Sequence, residues 1–177
     1  MAVSEAGRMR FVKWTGGMAG AALALIFLSA PAHAERRGDQ GLGVMLGNPS
    51  GFSYKIFLNE RVGVDAAFGV AQGELDTHVT VLFHDFDFLR RSPALSGITA
   101  QGELPVYFGV GPRLLFADDD TELGVRLPVG VSFFPHEMPW ETFFEVAPVV
   151  RLAPTTGLDL DFALGVRYYF PAIRPRH

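Results

Sequence analysis

Cysteine is absent from this 177-residue chain. Its absence excludes disulfides, thiolate metal sites, cysteine nucleophiles and a lipid-modified N-terminal cysteine. Charge is also scarce: Asp, Glu, Lys and Arg make up 19% of the residues, where about 25% is usual for a soluble domain. Glycine and phenylalanine are plentiful by contrast, with 20 and 16 residues. The length fits a single domain.

The N-terminal region predicts a secretory signal peptide over residues 1–34. A basic segment formed by Arg8, Arg10 and Lys13 is followed by an uncharged apolar segment, residues 16–28. This order of segments is typical of signal peptides. No twin arginine is present within residues 1–34, so we expect export through the secretion translocon of the general secretory pathway.

The predicted cleavage site is the A-x-A motif formed by Ala32 and Ala34. A retained membrane anchor is the alternative, because residues 14–34 are uncharged and nearly long enough to span a bilayer. Cleavage leaves residues 35–177, which hold 12 Lys and Arg against 18 Asp and Glu. This acidic balance argues against a nucleic-acid partner. We expect no cofactor.

Beyond the leader, apolar residues alternate with small or charged residues, which is the period of a β-strand. Eight such runs occur, and turn residues separate most of them. They begin near Leu42, Phe52, Val62, Leu75, Leu104, Leu123, Trp140 and Leu158. Short connections imply antiparallel neighbours, and closure of the sheet removes its exposed edges. The sequence therefore predicts an all-β fold, an eight-stranded antiparallel up-and-down transmembrane β-barrel.

Each run has an apolar face and a second face made of the residues between the apolar ones. The composition of this second face indicates which side of the barrel meets lipid. That face holds many glycines together with charges of both signs, whereas the apolar face carries no charge within any run. Glycine weakens a solvent-facing strand but makes room for a long charged neighbour in a narrow lumen. We therefore predict a lumen charge network that fills the interior with salt bridges, formed by Lys55, Asp65, Arg113, Arg126, Glu145, Arg151, Asp159, Asp161 and Arg167.

The C-terminal run ends in a pattern that resembles the assembly signal of outer-membrane barrels. The matching residues are Gly165, Tyr168 and Phe170. The sequence departs from that signal in having Ala163 where a polar residue is common and a tail, residues 171–177, after the terminal phenylalanine. The resemblance implies recognition by the barrel assembly machinery.

The chain also resembles an uncharacterised family of small outer-membrane β-barrel proteins, similar in architecture to OmpA and OmpX. The resemblance rests on the stretches at residues 41–44, 47–51, 104–111, 144–148 and 165–170. It implies the fold and residence in the outer membrane of a Gram-negative-type bacterium. We expect outer-membrane lipid and lipopolysaccharide as partners, and a monomer. The resemblance implies no activity. We expect no peptidoglycan-binding domain such as follows the barrel in OmpA.

Two polar groups are candidates for metal or acid–base sites. His78 and His84 share a face but lie about 20 Å apart along an extended strand, which is too far for one ion. The second group lacks the spacing of a calcium loop and comprises Asp118, Asp119, Asp120 and Glu122. We therefore expect hydrogen-bonded histidines, with Asp85 and Asp87 nearby, and a solvated turn.

The expected function is a structural or interaction role without catalysis. One alternative is a lipid A-modifying outer-membrane enzyme, but the apolar face offers no nucleophile and base pair. The other is a soluble exported, lipocalin-like barrel that binds an apolar ligand. Two features fit the predicted barrel poorly. Prolines occur inside runs, at Pro112, Pro128 and Pro148, and a long connection occurs at residues 86–102. We expect bulges or strand ends at the prolines, and a short helix or a longer fourth strand in the connection.

Overall fold

A computed structural model describes residues 37–117 and 120–170. The predicted signal peptide, its cleavage site at Ala32 and Ala34, and the tail after Phe170 lie outside the described residues. Within them the chain is almost entirely β-structure, as the alternation predicts. The strands are β1 (Gln40–Asn48), β2 (Ser50–Phe57), β3 (Val62–Ala71), β4 (Glu74–Asp85), β5 (Gly102–Glu103), β6 (Val106–Phe116), β7 (Thr121–Arg126), β8 (Val129–Pro135), β9 (Trp140–Ala153) and β10 (Gly157–Phe170).

The strands pair into a closed antiparallel ring. The order runs β1, β2, β3, β4, β6, β7, β9 and β10, and β10 pairs back onto β1. Successive strands of the ring are thus neighbours in the sequence, which is the up-and-down arrangement. The predicted all-β antiparallel fold is confirmed. Every strand edge in this ring has a partner, so none is left open for pairing with another chain.

The predicted run from Leu123 to Phe133 appears as two strands, β7 and β8, which occupy one position in the ring. Both pair with β6 on one side and with β9 on the other, in unchanged register from Gly124 onward. The gap between them holds Leu127 and Pro128. Hydrogen bonds bridge it, because Gly109 N donates to Pro128 O at 2.9 Å and Leu127 N donates to Pro148 O at 2.9 Å.

Pro112 and Pro148 lie within β6 and β9 and do not shift the pairing register. Pro128 lies between β7 and β8, as expected for a strand end. The register shift occurs instead between Leu123 and Gly124, at the start of the β7–β9 ladder. The prolines therefore leave the alternation of inward and outward side chains intact. The expectation of a bulge is wrong at Pro112 and Pro148.

The two ends of the ring differ. Gln40 pairs with Phe170, so β1 begins and β10 ends at the same end, which we call the termini end. The connections at the opposite end, which we call the turn end, are short in sequence: residues 49, 72–73, 117–120 and 154–156. At residues 72–73, Gln72 and Gly73 both have positive φ, 54° and 92°, as two-residue hairpins require.

The longest connection, residues 86–105, lies at the termini end. It holds a 3-10 helix (Pro93–Leu95), a short helix α1 (Ser96–Thr99) and β5. The short helix expected here is present, and β4 ends at Asp85 without extending further. β5 pairs with the last residues of β8 and ties the connection to the ring.

None of the helices in the described part of the chain is long and apolar enough to cross a membrane.

Side chains alternate strictly between the two faces of the ring. Outward residues of β10 are apolar and exposed, such as Leu158 at 72% and Leu164 at 58%. Inward residues of the same strand, such as Asp161 and Arg167, are buried. This is the reverse of a water-soluble barrel, where the apolar residues fill the interior.

Candidate functional site in the barrel interior

Charged side chains fill much of the interior, and each buried one has a partner of opposite charge within 3.5 Å. Removing a charge from water is costly, on the order of several kcal/mol, unless a partner and further hydrogen bonds compensate. The buried charged residues of the described strands are Lys55, Asp65, Asp76, Arg113, Arg126, Glu141, Glu145, Asp161 and Arg167.

A first cluster, nearer the termini end, is centred on the carboxylate of Glu141 in β9. Lys55 Nζ lies 2.8 Å from Oε1, and Ser132 Oγ donates to the same oxygen at 2.5 Å. Arg167 Nη1 donates to Oε2 at 3.0 Å, and Tyr169 Oη donates to it at 2.7 Å. Four donors from β2, β8 and β10 therefore converge on one carboxylate. We call this the Glu141 cluster.

Arg167 extends the Glu141 cluster across the barrel. Its Nη2 pairs with Asp65 of β3, and its Nε donates to Ser53 Oγ at 2.8 Å. The guanidinium also stacks on the ring of Phe143, with its central carbon 3.8 Å from the ring centroid. A planar guanidinium suits this position, because it forms several directed hydrogen bonds and a stacking contact at once.

A layer of aromatic rings covers the Glu141 cluster on the side of the termini end. Phe57 lies 6.0 Å from Tyr169 and 5.1 Å from His84 between ring centroids. Lys55 Nζ lies 5.0 Å from the Phe57 centroid and 5.4 Å from that of Tyr107, within cation–π range. We call this layer the aromatic cap; it comprises Phe57, His84, Phe86, Tyr107, Phe134 and Tyr169.

A second charged cluster lies nearer the turn end. Arg113 Nε contacts Asp76 at 2.5 Å and Asp161 at 3.5 Å. Arg126 contacts Asp161 at 3.5 Å and Glu145 at 2.7 Å. Asp161 of β10 thus lies between Arg113 of β6 and Arg126 of β7. These arginines in turn contact Asp76 of β4 and Glu145 of β9, so the ion pairs link five strands. We call this the Asp161 cluster.

A small apolar group lies between parts of the two clusters, and His78 links them, since its ring nitrogens lie 3.4 Å from Asp76 and 3.8 Å from Asp65. On β9 the inward residues run Glu141, Phe143 and Glu145, and on β10 Ala163 lies between Asp161 and Arg167. Phe143 and Ala163 pack together with Met45 and Ala67. Along its axis the interior therefore runs from the aromatic cap through the Glu141 cluster, then this apolar group and His78, to the Asp161 cluster.

The mouth at the turn end is more open. Arg151 contacts Asp159 at 3.0 Å and Glu122 at 3.3 Å, and its side chain keeps 29% of its surface exposed. Glu122 and Asp159 are half-buried too. These three side chains are therefore in contact with water, unlike the buried side chains of the Glu141 and Asp161 clusters.

Three of the inward glycines make room for aromatic rings, whereas the sequence predicted that inward glycines make room for long charged side chains. A Cβ on Gly41 would lie 2.7 Å from the Tyr169 ring, one on Gly130 would overlap the Tyr107 ring, and one on Gly165 the Phe143 ring. Glycine at position 165, in the C-terminal pattern, thus has a packing reason. The predicted reason holds at Gly157, where a Cβ would overlap the guanidinium of Arg151, and less tightly at Gly63, where a Cβ would lie 3.5 Å from the Lys55 side chain.

The two histidines lie in different surroundings. His78 Nδ1 lies 3.4 Å from Asp76, and His84 Nδ1 lies 3.2 Å from Arg61 O. Asp85 Oδ1 accepts from the N–H of Asp87, and so holds a turn. Among residues 37–117 and 120–170, no group of three or more His, Asp or Glu could hold a metal ion.

The acidic turn is described only in part, since Asp118 and Asp119 lie outside the described residues. Glu122, from the same stretch, is an ion-pair partner of Arg151. At the other end, Tyr168 and Phe170 of the C-terminal pattern point outward. Tyr168 forms edge-to-face contacts with Phe170 at 5.0 Å and with Trp140 at 5.6 Å between ring centroids.

Sequence reasoning missed several interior residues: Glu141 and Asp76 among the charges, and the rings of the aromatic cap. The same alternation could have found the charges, because Glu141 lies four residues before Glu145 and so shares its face. The cap could not be found in this way. Its rings come from several different strands and the long connection, and only the register brings them together.

No protein-family model and no curated protein matches the chain. Among solved structures, the fold is similar to that of the N-terminal β-barrel domain of OprF from Pseudomonas aeruginosa, with a TM-score of 0.53 and 14% sequence identity. The match covers 76% of this chain and 98% of that domain. At this identity the similarity shows the fold alone. As a similarity of fold, it confirms the resemblance to OmpA-like barrels.

Proposed function

We propose that this chain is a small outer-membrane protein: an eight-stranded barrel with a charged interior closed to ions, which has a structural or interaction role and no catalysis. The proposal includes export through the secretion translocon, removal of residues 1–34, and insertion as a monomer by the barrel assembly machinery. The observation that carries it is the combination of an apolar outer surface with an interior of mutually paired charges.

The outer surface supports placement in lipid. Outward side chains of the eight ring positions are uncharged, except Asp85 at the end of β4. This matters because one Arg or Lys at the bilayer midplane costs about 2–4 kcal/mol. The apolar positions include Leu46 at 71% exposure and Phe108 at 61%, which are unfavourable in water.

The height of the apolar surface supports the same placement. From Leu158 to Phe170, the outward residues of β10 extend about 40 Å along the strand, at about 3.3 Å per residue. A tilt of about 40°, usual in small barrels, reduces this to about 30 Å along the axis. That height matches the hydrocarbon core of a bilayer, about 30 Å. Trp140 and Tyr168 then lie near one membrane surface, where such rings are enriched.

The closed interior is supported by the aromatic cap and the two buried clusters. Lys55, Glu141 and Asp161 have no exposed surface, and their partners lie on other strands of the ring. An eight-stranded barrel is only wide enough for its own side chains. Opening a path for ions would require several buried ion pairs to separate together, which is costly.

Recording from planar lipid bilayers tests the closed interior. Purified protein reconstituted at increasing amounts should give no stepwise conductance. Steady single-channel currents that scale with the amount of protein would contradict the proposal. The matched control is the same preparation after heat denaturation, which shows whether any current comes from contaminants.

Cell fractionation tests the location. The protein should be found in the outer-membrane fraction and require detergent for extraction, with an N-terminus at Glu35 by mass spectrometry. Recovery from the periplasm without detergent would instead support the soluble lipocalin-like barrel. Identical lipid A spectra from cells with and without the gene are expected, because the barrel is proposed to lack catalysis.

A further inference from the structure

The termini end of the ring carries an open cavity of about 360 Å³. Its lining residues are Arg37, Asn59, Glu60 and Arg61, of which Arg37 precedes β1 and the others form the turn between β2 and β3. The Asn59 side chain holds that turn, since its Oδ1 accepts from the N–H groups of Arg61 and Val62 at 2.9 and 2.8 Å. The turn thus presents Arg61 beside Arg37 at the cavity.

Arg61 joins this cavity to the longest connection. Its Nη2 lies 3.3 Å from Asp87 Oδ2, while Asp87 Oδ1 lies 3.1 Å from Arg90 Nη2. Both arginine side chains are mostly exposed, at 63% and 73%. Phe88 follows Asp87 directly. Cavity and connection therefore form one continuous surface.

Large apolar side chains are exposed on the same end, outside the strands. They lie in the connections at residues 58–61, 86–105 and 136–139, and comprise Leu58, Phe88, Ile98 and Met138. Because they are not on the outward faces of strands, the apolar outer surface of the ring does not account for them. Phe88 is 65% exposed. In water this exposure is unfavourable.

We propose that this surface binds anionic phospholipid at the membrane boundary, with Phe88 and Leu58 entering the lipid and Arg61 and Arg37 contacting the phosphate. The inference rests on the proposed membrane barrel. A barrel inserted from the periplasm keeps both termini there, so this end meets the phospholipid leaflet. Apolar side chains next to arginines are typical of segments that lie in the interface.

The proposal also gives a reason for the unusual position of the long connection. Membrane barrels usually have short periplasmic turns and longer external loops, whereas here residues 86–105 lie at the termini end. A connection that lies on the leaflet does not project into water. β5 holds it against the ring, through the pairing of Gly102 with Pro135 and of Glu103 with Phe134.

Tryptophan quenching tests the proposal. The full chain carries Trp14→Phe and Trp140→Phe, which removes both native tryptophans, and Phe88→Trp as the reporter. It is reconstituted in phosphatidylcholine vesicles with and without phosphatidylglycerol. Brominated acyl chains should quench the reporter strongly and aqueous iodide weakly. Quenching by iodide but not by brominated lipid would overturn the proposal.

A matched reporter separates this failure from failure of the membrane barrel. Phe108→Trp, in the same background, places tryptophan on the outer face of β6, where Phe108 is 61% exposed. Brominated lipid should quench it in either lipid mixture. Quenching at position 108 without quenching at position 88 overturns the lipid-binding surface alone; quenching at neither position overturns the membrane barrel.

The preference for anionic lipid is tested at Arg61. In the Phe88→Trp reporter, brominated phosphatidylglycerol should bind more strongly than brominated phosphatidylcholine. Arg61→Gln should lower that relative binding about fivefold, the effect of about 1 kcal/mol for one basic residue near a membrane surface. Glu60→Gln, in the same turn, is the control and should not lower it. Equal binding of the two lipids by the parent reporter would overturn the headgroup assignment.

Discussion

The two ends of the barrel interior hold charge in different ways. Near the termini end, the fully buried carboxylate of Glu141 accepts hydrogen bonds from four side chains, and aromatic rings cover the cluster. At the turn end, Arg151 keeps nearly a third of its side chain in water and contacts only two half-buried carboxylates. The comparison teaches that several partners are needed where water cannot solvate a charge, and few where it can.

The largest effect is expected from breaking the Glu141 cluster. Glu141→Gln keeps the shape of the side chain but leaves Lys55 and Arg167 with one negative partner fewer, inside the barrel. The free energy of unfolding should fall by about 3–5 kcal/mol, as for other buried pairs that lose one member. Urea unfolding in lipid vesicles measures it.

The matched control for this change is Glu122→Gln at the turn end. It removes the same charge from an ion pair that water reaches, so the loss should stay below about 1 kcal/mol. Equal losses from the two variants would contradict the difference between the ends.

Removing a ring of the aromatic cap should open the termini end. Phe57→Ala deletes a fully buried ring, which costs about 3–5 kcal/mol in well-packed interiors. Lys55 is the only lysine among residues 35–177, so an amine-reactive reagent reports on this region directly. In the folded parent Lys55 should stay unlabelled, and in Phe57→Ala it should react.

The control for the cap is Phe108→Ala, which deletes a ring on the outer face and should leave Lys55 protected. Mass spectrometry of peptides locates the label and separates Lys55 from the N-terminal amine. Rapid labelling of Lys55 in the folded parent would show that the termini end is open.

The outer surface should respond to charge according to depth. Leu164→Arg lies near the middle of β10 and should lower the free energy of unfolding by about 2–4 kcal/mol, the cost of a midplane arginine. Leu158→Arg lies near the turn end, where the cost falls to about 0–1 kcal/mol. Unfolding in vesicles compares the two, and equal costs would argue against the proposed depth.

The smallest effect is expected at the turn-end mouth. Arg151→Gln breaks two partly exposed ion pairs, so the free energy of unfolding should change by less than about 1 kcal/mol. High salt should weaken the pairs in the parent as well. A loss as large as that from Glu141→Gln would show that the mouth is buried in the membrane-embedded protein.

The strand faces could be predicted because alternation is a local property. Residues two positions apart, such as Leu158 and Leu160, share a face whatever the rest of the chain does. The same rule places Asp159, Asp161 and Arg167 together on the inner face. The division of one predicted run into β7 and β8 occurs where two prolines face the gap: Pro128 lies in it and Pro148 lies opposite Leu127, and neither has an N–H to donate to the ladder.

The pairing of the charges could not be predicted in this way. Ser53 and Arg167 lie 114 positions apart in the chain, and Lys55 and Glu141 lie 86 apart. Which partners meet depends on the register of every strand between them. The sequence-based interpretation therefore identified many of the buried charges without their partners, and it missed Glu141, on which four donors converge.

Heat-modifiable migration on a detergent gel tests the central proposal, a closed barrel extracted from a membrane, most directly. Unheated protein from the detergent-extracted outer membrane should migrate as a compact form, and boiling should convert it to a slower, unfolded form. Identical migration with and without boiling, or recovery of the protein without detergent, would contradict the proposal.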